Sequence, residues 1–137
     1  MKKELKGVLG TKTEYKPFTL EYEETEEMST FLDKIYELLD CQMIEVQHRK
    51  FGDKYYTIIC DEEGTYIHDN FVSIITIDDY FETIEQIVGN VFICTDNADG
   101  DDFASLTGEE QAQVLCTISP AYDETGKELK KVLVATL

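Results

Sequence analysis

Two histidines, four cysteines and a large excess of carboxylates are the groups in this chain from which chemistry could be built. His48 and His68 stand on different expected elements, and neither has metal-ligand spacing around it. His68-Asp69-Asn70 is a polar loop cluster that could line a pocket with Tyr66, but one histidine beside one acid is a weak basis for catalysis. The run DNADGDD from Asp96 to Asp102 invites comparison with a calcium loop. An EF-hand needs D-x-[DN]-x-[DN]-G and a closing glutamate. With Gly100 in the glycine position, Thr95 falls first and Leu106 last, so the pattern fails and a solvated turn is expected. Cys41, Cys60, Cys94 and Cys116 form no C-x-x-C pair. Cys60 and Cys94 lie in apolar runs, where a free cysteine behaves as a small hydrophobe. Buried thiols are therefore expected, not a zinc site or disulfides. No phosphate-binding loop, dinucleotide fingerprint or nucleophile elbow occurs. No catalytic residue, metal or cofactor is assigned, and the chain is read as a non-enzyme.

The carboxylates carry more information. Against 12 Lys plus Arg stand 29 Asp plus Glu, a formal net charge of −17. From Tyr55 to Gly126 there is no Lys and no Arg, while that span holds 16 acids. Asp61, Glu62, Glu63, Asp69, Asp78, Asp79, Glu82, Glu85, Asp96, Asp99, Asp101 and Asp102 are the candidate binding surface. Such a surface repels nucleic acid, whose phosphates need lysine and arginine, and attracts basic surfaces. Arg49 is the only arginine. No apolar run approaches the ~18 residues of a membrane span, so no membrane role is expected. With no signal peptide, a reducing cytoplasm is the expected compartment.

The elements that must position these groups read as follows. At 137 residues, 42% hydrophobic, the chain suits one domain with a core of its own. Met1 to Thr13 is a first strand or a loose tail. Phe18 to Tyr22 alternates as a half-buried strand, with Pro17 at its start. Thr25 to Leu39 places Met28, Phe31, Leu32, Ile35, Leu38 and Leu39 on one helical stripe. Met43 to His48, with Ile44 and Val46 inward, and Lys54 to Cys60 form a hairpin around Phe51-Gly52-Asp53. Phe71 to Ile77 suits a strand but does not exclude a buried helical turn. Asp78 caps a helix over Asp79 to Val88, with Phe81, Ile84 and Val88 toward the core and Gly89 as its stop. Asn90 to Thr95 is an interior strand. Thr107 and Glu110 make a capping box for the next helix. Leu129 to Leu137 closes the fold, with Val132 and Val134 inward. The sum is an α+β single domain, a mainly antiparallel sheet with two or three helices. Its parts are an N-terminal strand region (1–24), a core (25–119) and a closing strand (120–137).

Three blocks in order, LLDCQMIEVQ (Leu38 to Gln47), TIICDEEGTYIHDN (Thr57 to Asn70) and IVGNVFICTDNADGDDFASLTGEE (Ile87 to Glu110), resemble a family catalogued as domain of unknown function 3846. Glu62-Glu63-Gly64, Asn70, Gly89, Phe103, Ser105-Leu106-Thr107 and Glu110 match its pattern. Cys41-Gln42 stand where the family has a glycine pair, and Asp69 where a proline is frequent. The resemblance implies carriage by phages, plasmids and conjugative elements, and brings no catalytic residue with it.

Mobile elements often carry small proteins that blunt host defences, and dense carboxylates can imitate DNA, with one charge per ~1.7 Å of duplex axis. The leading expectation is therefore an acidic inhibitor. It would occupy the basic nucleic-acid-binding surface of a host protein, such as a restriction enzyme or a CRISPR effector. A sponge for a small ligand or signalling nucleotide, using Tyr66, His68 and Asn70, is the alternative. An acidity that serves only solubility is the third. A homodimer is left open.

Overall fold

The computed structural model describes residues 1–63, 71–100, 102–122 and 125–137, and within these not the side chains of 121, 122, 129 and 130. The described chain runs β1 (Lys2–Gly10), β2 (Tyr15–Glu23), α1 (Phe31–Leu39), β3 (Ile44–Phe51), β4 (Lys54–Asp61), β5 (Val72–Ile77), β6 (Thr83–Val88), β7 (Val91–Asp96), β8 (Phe103–Ala104), α2 (Gly108–Leu115), β9 (Ile118–Tyr122) and β10 (Glu128–Thr136). The strands follow the order β2-β1-β7-β4-β3-β10-β5-β6, with β8 on β7 and β9 on β10. All pairings are antiparallel except β10 with β5, so the sheet is mixed. It is a single sheet-rich domain with two helices among the described residues.

The order hides a weak seam. β2, β1, β7, β4 and β3 are joined by ladders of three to nine register pairs, and β9, β10, β5 and β6 by ladders of four or five. Between the two groups a single register pair, Lys50 with Thr136, connects β3 to β10. The core bridges this division on one face of the sheet. In β4, Tyr56, Ile58 and Cys60 enter a cluster that also takes Ile74, Ile87, Leu133 and Ala135 from the second group and Val114 from α2. Ile59, on the other face of β4, joins Leu5, Leu9, Phe92 and Cys94 beneath Ile35 and Leu39 of α1. Burial on both faces explains why β4 and β7 read as continuous apolar runs instead of alternating ones.

Gly7 lies between Leu5 and Leu9 on the α1 side, where the Phe92 ring fills the space a side chain would need. A Cβ there would come within 2.7 Å of Phe92 Cζ. Phe18 packs its edge on Phe92, with centroids 6.4 Å apart. On the other side, α2 is fastened through Gln111 Nε2, which donates to the Gly7 carbonyl (2.9 Å), and Gln113 Oε1, which accepts from the Tyr56 hydroxyl (2.6 Å). Its start is the expected capping box: Thr107 Oγ1 accepts from Glu110 N–H and Glu110 Oε1 from Thr107 N–H.

Four expectations are corrected. The first helix begins at Phe31, not Thr25, because Thr25–Met28 closes its own turn and Thr30 N–H bonds back to the Glu23 carbonyl. Met28 and Leu32 are consequently exposed. The helix expected over Asp79 to Val88 is instead a turn and strand β6, paired antiparallel with β5. Ile84, Ile87 and Val88 fit a helical stripe, but six residues ending in β-branched side chains and facing the edge of β5 that β10 leaves open satisfy more backbone groups as a hairpin. Gly89, with φ 96°, serves the turn into β7. Val46 faces solvent and Val134 is only half-buried, while Leu133 and Ala135 fill the core. Strand β9 was not expected at all. The ambiguous Phe71 to Ile77 is strand β5, and Lys2–Gly10 is a strand and not a tail. No described helix is long and apolar enough to cross a membrane.

Gly7→Ala should lower stability by about 1–3 kcal/mol, since backbone and the Phe92 ring must both move to admit the methyl group. Urea unfolding measures this, and an unchanged midpoint would show that both the Ile93 carbonyl and the ring yield freely.

Candidate functional site

The strand registers decide where the candidate carboxylates go. β5 ends at Ile77, opposite Thr136, which is opposite Lys50. β7 ends at Asp96, two residues beyond Cys94, the partner of Thr57. Asp79 and Glu82 of the β5–β6 turn and Asp99 and Asp102 of the β7–β8 loop therefore leave the sheet at its Lys50 end. All four are exposed. Glu62 and Glu63, also exposed, follow β4 at the opposite end, where Asp61 pairs with Ile44.

Four candidates are withdrawn from that surface. Asp61 is buried, and its Oδ1 accepts the Glu63 N–H at 2.8 Å, so it is a turn-forming group. Asp78 is half-buried, and its Oδ1 accepts from the N–H groups of Tyr80 (2.9 Å) and Glu82 (3.0 Å). Glu85 is paired with Arg49 at 2.5 Å. Asp96 is held between the Thr57 hydroxyl (2.7 Å to Oδ1) and His48 Nε2 (3.1 Å from Oδ2). Asp69, Asp101, Tyr66, His68 and Asn70 lie outside the described residues, so the loop pocket is not placed.

The His48–Asp96 pair borders a cleft of about 240 Å³ with Val46, Gly100, Asp102 and Phe103. In a catalytic arrangement an acid orients the imidazole, and the imidazole in turn activates a nucleophile. Here the hydroxyl of Thr57 bonds the acid and not the imidazole, so the order of groups suits a structural bridge between β3, β4 and β7. Sequence spacing gives no sign of this pairing, because the three residues come from three strands. Among the described residues no three carboxylate, imidazole or thiol groups gather to ligate a metal.

The basic residues do not converge either. Arg49 donates to Gln47 Oε1 and the His48 carbonyl (2.7 Å each), to Thr76 Oγ1 (3.3 Å) and to Glu85. Lys54 bonds Glu110, and Lys50 lies over the Tyr55 ring at 5.6 Å. Lys2 pairs with Glu21, Lys3 with Glu24 and Lys16 with Glu14. Cys116 is exposed, against the expectation of buried thiols, and the other three thiols are inert by environment. Burial, with neighbouring carboxylates, pushes Cys41 up to about 11 and Cys60 to about 12, and burial raises Cys94 further. At neutral pH these three stay protonated and are poor nucleophiles.

Phe81 and Ile84, expected to face the core, turn up at the surface, 83% and 47% exposed, and Tyr80 beside them is 84% exposed. The signal that could have found them is the Asp-Asp between two β-branched runs, which reads as a hairpin turn once Thr83 to Val88 is taken as a strand.

A family model described as Domain of unknown function (DUF3846) matches residues 11–119. It covers the three blocks that carry the resemblance and ends before β10. No curated protein and no solved structure matches the chain.

Two outcomes follow. Arg49→Met should cost about 2 kcal/mol, because several acceptors lose a charged donor; an unmoved urea midpoint would exclude a clamping role. Glu110 gives a pH signature. Burial pushes its carboxyl up, but hydrogen bonds from Lys54 and Thr107 and the Lys54 charge outweigh this and hold it below the ordinary value. A depressed folded-state value means that the contribution is present above the unfolded value of about 4.3 and lost as pH falls through the folded one. The stability gap between wild type and Glu110→Gln should therefore close on acidification. Unfolding midpoints from neutral pH downward test this, and a constant gap would contradict it.

Proposed function

We propose that this chain, which belongs to the DUF3846 family, is an acidic binding protein that occupies the basic, nucleic-acid-binding surface of a partner protein in place of DNA or RNA. The observation that carries this reading is the separation of charges. Asp79, Glu82, Asp99 and Asp102 are exposed toward one end of the sheet and have no ion pair among the described residues, whereas Lys2, Lys3, Lys16, Arg49 and Lys54 are each tied to a carboxylate. The Asp102 charge also acts on Lys3, but Asp79, Glu82 and Asp99 have no such neighbour among the described residues, and carboxylates so placed project a field that steers a cationic surface toward them over about a Debye length, ~8–10 Å at physiological salt. The groups gather at an end of the sheet and not in rows along a convex face, so local contact with a basic cleft fits better than imitation of a long duplex. Restriction and CRISPR effectors are the partners to test first, given the mobile-element carriage that the family resemblance implies.

Binding without catalysis is favoured by the order of groups around His48. A nucleotide sponge has less support, since Arg49 and Lys54 are engaged by glutamates.

The test is capture from a bacterial lysate containing such effectors, washed over a salt series. Nucleic-acid-binding proteins should be retained, released as salt rises and displaced by competitor DNA. The combined change Asp79→Asn, Glu82→Gln, Asp99→Asn and Asp102→Asn should lower retention at least roughly tenfold, as loss of several charge contacts requires. Equal retention by the neutralised protein would refute the reading.

A further inference from the structure

The β5–β6 turn presents two large aromatic rings to water and contributes nothing to the core through them. Tyr80 and Phe81 are 84% and 83% exposed. The turn itself is closed without either side chain. The Asp78 carboxylate takes two N–H groups, Phe81 N–H donates to the Asp78 carbonyl (3.1 Å), and Asp78 N–H donates to the Glu82 carbonyl (3.0 Å). Phe81 has φ 62°, a left-handed conformation that a bulky side chain rarely adopts and that glycine would hold without strain. Local stability alone would thus favour glycine here, yet the chain carries a ring. Asp79 and Glu82, both exposed, flank the two rings. A third ring stands at the same end of the sheet: Tyr55 is 56% exposed and its hydroxyl donates to the Leu137 carbonyl at 3.4 Å, one residue past the Thr136 that pairs with Ile77.

We propose that the hairpin tip imitates single-stranded nucleic acid, with Tyr80 and Phe81 in the place of unstacked bases and Asp79 and Glu82 in the place of the adjoining phosphates. Its occupant is a partner protein's single-strand-binding groove. This rests on the acidic-binding reading and narrows the partner's chemistry. Grooves that hold single strands combine a cationic track with aromatic platforms on which any planar ring stacks. A duplex-reading surface has phosphate contacts and base-edge contacts but no use for a free ring face. Arginine in such a groove would also gain from lying over either ring. The turn hydrogen bonds fix the tip before binding, which reduces the ordering cost of association.

The probes are two basic peptides of equal charge, repeats of Lys-Trp-Lys and of Lys-Ala-Lys, titrated against the full chain by calorimetry at low salt. The wild type should bind the tryptophan peptide roughly tenfold more tightly, the scale of one or two ring-stacking contacts. The double change Tyr80→Ala and Phe81→Gly should abolish that preference while keeping affinity for the alanine peptide. Its melting temperature should not fall, since Phe81→Gly relieves a left-handed residue. Amide shifts at Tyr80 to Glu82, induced in the wild type by the tryptophan peptide alone, give the same answer without a variant. Equal binding of both peptides by the wild type, or a preference that survives the double change, overturns the tip proposal and leaves the charge reading standing. Binding of neither peptide overturns both.

Discussion

Between the β2–β3 group of strands and the β9–β6 group the backbone offers one register pair, Lys50 with Thr136, and the Arg49 guanidinium supplies what the ladder lacks. It starts on β3, bonds Thr76 on β5 and Glu85 on β6, and is held at its root by Gln47 and the His48 carbonyl. Only 12% of its side chain is exposed. Tyr15 makes a second tie of the same kind, with its hydroxyl donating to the Ser73 carbonyl at 2.7 Å. These polar ties close the margins of the core that Phe51, Ile74 and Leu133 fill, and a charged donor with several acceptors there fixes orientation as well as contributing energy. A planar fork of donors can reach several acceptors at once in a way that a lysine ammonium cannot.

The same bond pattern shapes the electrostatics. With its one arginine facing inward and Lys2, Lys3, Lys16 and Lys54 beside glutamates, the protein has little positive charge to offer an anion. Part of the self-repulsion of a −17 chain falls inside the sheet, where Glu4 stands opposite Glu21, and the Lys2–Glu21 ion pair offsets it there.

Much of the architecture was legible because local signals and tertiary demands agreed. The β3–β4 hairpin, the buried runs of β4 and β7 and the capping box of α2 each follow from short patterns whose physics is local. Where local and tertiary demands diverged, the reading failed. Ile84, Ile87 and Val88 satisfy a helical stripe and a bulged strand equally well, and only the presence of β5 decides between them. The start of α1 moved because Thr30 bonds both the N–H and the carbonyl of Glu23 and Ser29 bridges to Glu24, an arrangement invisible in the apolar periodicity. At the site, composition found the acids but could not tell that Asp61, Asp78, Glu85 and Asp96 are occupied as turn-formers and bridges, because their partners are fixed by the fold and not by spacing.

The position of β10 has a consequence for how the chain assembles. It is the last strand in chain order, yet it lies inside the sheet between β3 and β5, with β9 along part of its length. Until it docks, β5 and β6 are an isolated hairpin, a unit marginal in water, and the inner edge of β5 stands open. Its parallel match to β5 spans more than fifty residues of sequence, a non-local closure of the kind that slows folding and leaves a template for mispairing while it is awaited. During synthesis the first group of strands can consolidate early. The second has to wait for the final strand, which makes this half of the molecule the one most dependent on protection from aggregation.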